Sequence, residues 1–145
     1  MPASWAYFDT SVLVKRYVSE QGSIQARSLL RRHRLLSSAI APVEALSALS
    51  RRQAAGELAE RNFKAILTRM RLDRPFWELV EVSPLVLNQT EELILKTALR
   101  TLDAIHVASA LAFQAASGIR TPFITGDHRQ ADAAEELGLD VVFVK

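Results

Sequence analysis

Cysteine is absent from the 145 residues, which excludes a disulfide framework, a thiolate metal site and a cysteine nucleophile. Any metal must then be held by oxygen or imidazole donors. Long apolar runs are missing too: no stretch approaches the roughly 18 residues that a membrane-spanning helix needs. The first residues, MPASWAYFDTS, lack a basic start, and Asp9 and Lys15 interrupt the candidate apolar stretch. A secretory leader is therefore not expected, and the expected location is the cytoplasm. Internal repeats, low-complexity tracts and Pro/Gly/Ser-rich linkers are also lacking, so the expectation is one globular domain over residues 1–145. With 49% hydrophobic residues the chain can fill a single core.

The net charge of +2 is bland, but 14 of the 18 basic residues are Arg, the side chain suited to bidentate phosphate recognition. If four of the 16 acids were neutralised by bound cations, 18 basic side chains would face 12 acidic ones. A polyanionic partner is compatible with that balance.

Periodicity divides the chain into strands and helices. WAYF, residues 5–8, reads as a strand ending at Asp9, and TSVLVKRY behind it has helical spacing. SIQARSLLRRH after Gly22 reads as a helix with Ile24, Leu29 and Leu30 inward, and RLLSSAI as a strand. Pro42 suits the first turn of PVEALSALSRRQ, which ends near Gly56. Residues 57–72 form an amphipathic helix with Leu58, Phe63, Ile66, Leu67 and Met70 on one side. WELVEV is a third strand. Pro84 starts another helix, Thr101 is placed to cap the one after it, and Gly118 ends that one. PFIT, HRQADAAEEL and LDVVFVK complete a strand, a helix and a strand. Such alternation predicts an α/β fold with a parallel sheet covered on both faces.

In such a sheet, ligands bind outside the carboxyl ends of the strands. Four acids map to that edge. Asp9 directly follows the first strand, and Asp127 follows the fourth across Gly126. Glu44 and Asp103 each stand in the first turn of a helix. Taken singly, each has a capping or macrodipole explanation worth about 0.3 to 1 kcal/mol. Taken together they would repel one another unless a cation sat among them. Hard oxygen donors without cysteine point to Mg²⁺ or Mn²⁺ rather than zinc. The helix LDAIHVASALAFQAA is apolar almost all round and should be buried. Its exceptions, Asp103, His106 and Ser109, recur every three residues along one line that should face the site. His106 is placed either to contact a phosphate, to orient Asp103, or to serve as a satisfied structural histidine.

The segments FDTSVLVKRY, PVEALSAL, RTLDAIHVASAL and FITGDHRQA, in that order over residues 8–131, resemble the PIN domain, and in particular the VapC-type toxins of toxin-antitoxin pairs. That resemblance implies a three-layer α/β/α fold around a parallel sheet of about five strands in the order 3-2-1-4-5. It implies Asp9, Glu44, Asp103 and Asp127 as the metal-binding acids, with Thr10 and Thr125 as polar neighbours that steady them. It further implies a homodimer and a partner antitoxin occupying the groove. Asp132, one turn beyond Asp127, is the local rival for the fourth acid.

Such a site would hydrolyse an RNA phosphodiester with metal-activated water, and Lys15, Arg16, Arg51, Arg52 and Arg129 are candidates to hold phosphates. Other acid-using α/β enzymes fit less well. A haloacid-dehalogenase-type phosphotransferase needs Asp-x-Asp after the first strand, where this chain has Ser11. A phosphoacceptor receiver needs an acidic pair there, and no Gly-rich phosphate loop is present. The readings that stay open beside a ribonuclease toxin are an inactive PIN-like module that binds RNA or an antitoxin, and a PIN nuclease acting on DNA, because a metal site alone does not tell the sugars apart.

Overall fold

The computed structural model describes residues 4–145. Five strands, β1 (Trp5–Phe8), β2 (Arg34–Ser38), β3 (Glu78–Val80), β4 (Pro122–Thr125) and β5 (Asp140–Phe143), make one sheet in the order β3-β2-β1-β4-β5. Every pairing is parallel. The expected fold class and strand order are thus observed. Parallel neighbours cannot be joined by a hairpin and need crossovers, which the seven helices supply: α1 (Thr10–Tyr17), α2 (Ser23–Arg32), α3 (Ala41–Ala54), α4 (Glu60–Asp73), α5 (Pro84–Lys96), α6 (Thr101–Ser117) and α7 (His128–Glu136).

The period-two alternation of the strands splits the core in two. Tyr7, Leu36 and Phe123 point to one face, where they meet Val86 and Leu93 of α5, Ala104 and Val107 of α6, and Ala133 and Ala134 of α7. Ala6, Phe8, Leu35 and Ile124 point to the other, against Val12 and Leu13 of α1 and Ala26 and Leu29 of α2. A third cluster joins Val14 and Val18 to Ala45 and Leu49 of α3 and Met70 of α4. The chain passes from one side of β1 to the other between β3 and β4, so the strand order reverses at the β1–β4 pair. A crevice opens at such a reversal, and Asp9 and Asp127 follow the two strands that flank it.

Several local expectations need correction. Ile24 is not inward: it is 85% exposed, while Ser23, Ala26 and Leu29 form the buried face of α2. Ser23 can be buried because its hydroxyl donates to the Val18 carbonyl and accepts from the Glu20 amide. Thr101 is the first residue of α6 rather than its cap, and Arg100 before it offers no capping side chain. α4 begins at Glu60, three residues later than expected, and a 3₁₀ turn, Arg74–Phe76, separates it from β3. The second strand stops at Ser38 and the third at Val80, short of the apolar runs that suggested them. Residues 104–110 of α6 are buried, but Leu102 near its start and Ala115, Ala116 and Ser117 at its end are exposed. Gly22 does hold a left-handed conformation, φ +86°, and a Cβ there would stand 2.1 Å from the Lys145 carbonyl oxygen, so only glycine fits.

Candidate active site

β1 delivers Asp9 to the reversal point, where its amide donates to the Ile124 carbonyl at 2.9 Å. Asp9 is almost fully buried and caps α1. Its Oδ2 accepts from the Ser11 amide at 3.2 Å and from the Ser11 hydroxyl at 2.6 Å. Its Oδ1 accepts from Gln130 Nε2 at 3.3 Å and lies 3.6 Å from His106 Nε2. The motif Asp-Thr-Ser therefore has a local logic: Ser11 ties down one oxygen of Asp9, and Thr10 turns the other way, donating to Glu44 Oε1 at 2.7 Å.

Glu44 stands in the first turn of α3 and is held at Oε1 by His106 Nε2 as well, at 2.6 Å. Asp127 caps α7, its Oδ1 accepting from the Arg129 amide at 2.8 Å and the Gln130 amide at 3.1 Å. Thr125 accepts from the Asp127 amide at 3.0 Å, donates to Gln130 Oε1 at 2.7 Å, and has Asp9 Oδ2 at 3.5 Å. Gly126 between them is a matter of space, because a Cβ would meet the Val144 carbonyl oxygen at 3.0 Å and Ser11 Oγ at 3.4 Å. Asp103, in the first turn of α6, is half-buried, and its carboxylate accepts no hydrogen bond from the described residues.

Asp103 is the electrostatic outlier. Burial pushes its pKa up, the charges of Asp127, Asp9 and Glu44 push it the same way, and His106 offsets this only in part. Burial opposes a charged His106, but the hydrogen bond to Glu44 and the charges of Asp9, Glu44 and Asp103 prevail, and its pKa is raised. Asp103 thus senses the other three acids across a single edge. The four are not in mutual contact: among the described residues, no three carboxylate or imidazole groups form a set ready to hold one ion. The donor chemistry still suits a hard cation. Glu44 Oε2 and Asp127 Oδ2 accept no hydrogen bond from the described residues, Asp9 Oδ1 accepts only the long one from Gln130, and the Asp103 carboxylate accepts none.

Asp103 and Asp127 line a cavity of about 490 Å³ together with Arg100, Gly126, His128 and Arg129. Asp132 is exposed on α7 and lines a different cavity, with Lys96, Leu99 and Arg129. His128 stacks on Phe143, ring centroids 4.2 Å apart. Of the basic residues considered for phosphates, Arg16 is engaged by Asp73 and Arg52 by Glu20. Lys15 pairs with Glu20 and donates to the Gln21 carbonyl, and Arg51 bonds Ser47. Arg129 is exposed beside the acids. Three residues do not stand out in the sequence: Arg100, at the cavity rim; Gln130, fully buried and bridging Thr125, Asp9 and the Asp103 carbonyl; and Tyr7, bonded to His106. A signal exists for Gln130, a polar residue on the apolar side of HRQADAAEEL. Ser109, placed with His106 on the line toward the site, is buried, and its hydroxyl makes no hydrogen bond with the described residues.

The chain matches the PIN domain family model over residues 6–136. It is 35% identical, over 137 residues covering 94% of this chain and 95% of the relative, to Ribonuclease VapC46 of Mycobacterium tuberculosis (strain ATCC 25618 / H37Rv). Among solved structures, a toxin-antitoxin complex from Klebsiella pneumoniae is similar at TM-score 0.62 and 18% identity, covering 86% of this chain and 88% of that one. FitAcB from Neisseria gonorrhoeae is similar at TM-score 0.66 and 14% identity, covering 94% and 95%. A five-stranded parallel sheet with acids at its reversal point and a family match over most of the chain agree: this protein belongs to the PIN domain family, on its VapC-type side.

Proposed function

We propose that this chain, read as one domain over residues 1–145, is a metal-dependent endoribonuclease, the toxin of a toxin-antitoxin pair, and that Asp9, Glu44, Asp103 and Asp127 hold Mg²⁺ or Mn²⁺. The observation that carries this reading is the acidic edge itself: four carboxylates on three helix starts and one strand end, none paired with an arginine or lysine among the described residues. Likeness to a protein named as a ribonuclease over nearly the whole chain supports the same activity.

A bound Mg²⁺ or Mn²⁺ supplies activated water and charge stabilisation at the phosphate. The residues do the rest. Asp9, at the reversal point, and Asp103, in the first turn of α6, would be direct ligands, while Glu44 and Asp127 would hold a second ion or orient water. Ser11 and Gln130, the latter held by Thr125, fix the Asp9 carboxylate and Thr10 fixes that of Glu44, so little reorganisation of these two accompanies binding. Arg100 and Arg129 at the rim offer donors to the phosphates on either side of the cleaved bond. Likeness to a toxin-antitoxin complex supports an antitoxin partner, and by family resemblance we read the protein as a cytoplasmic homodimer.

The test is to incubate purified protein with tRNA, ribosomal RNA and single-stranded DNA, with Mg²⁺, with Mn²⁺ and with chelator. Cleavage of RNA that chelator abolishes, and growth arrest on expression that the adjacent partner relieves, are the expected results. Cleavage of DNA alone would move the substrate, and binding of RNA by folded protein without cleavage would make the chain a binding module.

A further inference from the structure

We propose that Tyr7 and His106 are positioning residues for Glu44: a buried hydrogen-bond chain occupies Glu44 Oε1 and leaves Oε2 as the one oxygen this residue presents to a cation. This role rests on the placement of Glu44 among the metal-holding acids, and adds to it how the carboxylate is aimed and which ions it favours.

The chain starts in the core. Tyr7 is fully buried in the middle of the sheet, and its ring is stacked on Phe123 at a centroid distance of 5.3 Å and an interplanar angle of 8°. A ring held that way points its hydroxyl in a fixed direction. That hydroxyl meets His106 Nδ1 at 2.8 Å. His106 is itself fully buried, packed edge-on to Tyr7, and its Nε2 meets Glu44 Oε1 at 2.6 Å. The proton on Nε2 points to Glu44 whichever charge the ring carries, because Tyr7 can donate to a bare Nδ1 or accept from a protonated one. Thr10 places a second donor on the same oxygen at 2.7 Å. Oε1 is therefore saturated, while Oε2 accepts nothing from the described residues. The sequence expectation for His106 included orienting Asp103, its neighbour on α6; the hydrogen bond instead reaches a carboxylate 62 positions away.

The same one-oxygen pattern recurs at Asp127, whose Oδ1 takes the amides at the start of α7, whereas at Asp9 Ser11 engages Oδ2 and Oδ1 accepts the longer bond from Gln130. Carboxylates restricted to one oxygen suit a small octahedral ion such as Mg²⁺ or Mn²⁺. Ca²⁺, with six to eight ligands, gains from carboxylates that turn both oxygens toward it. Releasing Glu44 Oε1 should thus weaken Mn²⁺ binding and erode its advantage over Ca²⁺.

The experiment is calorimetric titration of Mn²⁺ and of Ca²⁺ into wild type, His106→Leu, Glu44→Gln and the double variant. His106→Leu should lose about 10- to 100-fold in Mn²⁺ affinity, the usual cost of removing a partner of a metal ligand, and lose less for Ca²⁺. In the Glu44→Gln background the same change should cost little more, because the group it acts through is already gone. His106→Gln, which keeps an N–H donor, should recover most of the loss, and Tyr7→Phe should lose several-fold. If His106→Leu does not fold, Tyr7→Phe alone and in the Glu44→Gln background completes the same cycle. Equal Mn²⁺ losses from the histidine change in both backgrounds, or an unchanged Mn²⁺ to Ca²⁺ ratio, would overturn the positioning role alone. Wild type that takes up no Mn²⁺, or Glu44→Gln that binds as wild type does, would overturn the placement of Glu44 and the positioning role with it.

Discussion

The two ends of the sheet handle negative charge in opposite ways. At the amino end, Asp73 closes α4 beside the starts of β1 and β2. Arg16 Nε stands 3.3 Å from its carboxylate, Arg69 Nε 3.2 Å and the Tyr17 hydroxyl 2.7 Å. A cavity of about 680 Å³ opens there between Trp5, Arg34, Phe76 and Trp77, with Arg34 stacked over Trp5 at 3.8 Å. At the carboxyl end, Asp103 is not paired with an arginine or lysine among the described residues, and its pKa is raised by burial and by Asp127, Asp9 and Glu44, with His106 offsetting this only in part. One half-buried carboxylate is satisfied by its own fold; the other stores a conflict that the fold alone does not relieve. A buried acid with its partners in place is structural, whereas one without them needs something from outside.

Breaking that contrast most sharply is Asp103→Asn. RNA cleavage should fall by more than about 100-fold, beyond the usual cost of losing a mere partner of a metal ligand, and circular dichroism should show the fold intact. In chelator the variant should also be the more stable one at neutral pH. The sign follows from proton binding: Asp103 has a raised folded-state pKa, so the folded protein holds more protons than the unfolded chain between the ordinary carboxyl value of 3.8 and that raised value. Stability from this residue therefore falls as pH rises through that window, and the full penalty remains above it. Urea melts of both proteins across pH 3 to 7 should diverge in that direction; parallel curves would mean that Asp103 carries no electrostatic conflict.

Asp73→Ala should do the reverse. It strands Arg16 and the half-buried Tyr17 hydroxyl, so denaturant titration should show a loss of about 1 to 3 kcal/mol, while cleavage per folded molecule stays near wild type. Loss of activity at full stability would erase the distinction between the two ends.

A smaller effect tests the rim. Arg100→Ala and Arg129→Ala should each weaken RNA binding across sequences and reduce the slope of log affinity against log salt by about one for each phosphate left without its arginine. Fluorescence anisotropy at several salt concentrations reads this directly, and an unchanged slope would return both residues to ordinary surface.

The smallest effect belongs to Arg120→Ala. Arg120 makes a two-pronged exposed pair with Asp140, at 2.6 and 2.9 Å, and holds that carboxyl below its ordinary range. A fully exposed pair is screened by water and salt, so the thermal midpoint should barely move at neutral pH. Whatever the pair contributes should disappear as pH falls below the ordinary carboxyl range.

Much of the fold is legible in the sequence because its signals are local. Strand alternation in WAYF and PFIT, proline in the first turns of α3 and α5, and Gly118 after α6 each act over a few residues. Ser83 accepting the Val86 amide at the start of α5 is the same kind of signal. The acids are legible for a related reason: a residue just after a strand, or in the first turn of the next helix, has a known address in a parallel sheet. Ile24 runs against its sequence expectation because position outweighs apolarity there: Ser23 and Ala26 carry the buried face of α2, and Ile24 falls outside it.

By itself the sequence determined the alternation of elements, the family and the edge to which Asp9, Glu44, Asp103 and Asp127 belong. Tertiary structure alone decided which partners those acids keep. His106 bonds Glu44 across 62 positions, Gln130 reaches Asp9 across 121, and Arg16 turns to Asp73 across 57. No short-range pattern encodes such pairs, because a side-chain hydrogen bond depends on distances near 3 Å, and those are set only when crossovers on both faces of the sheet bring distant segments to one edge.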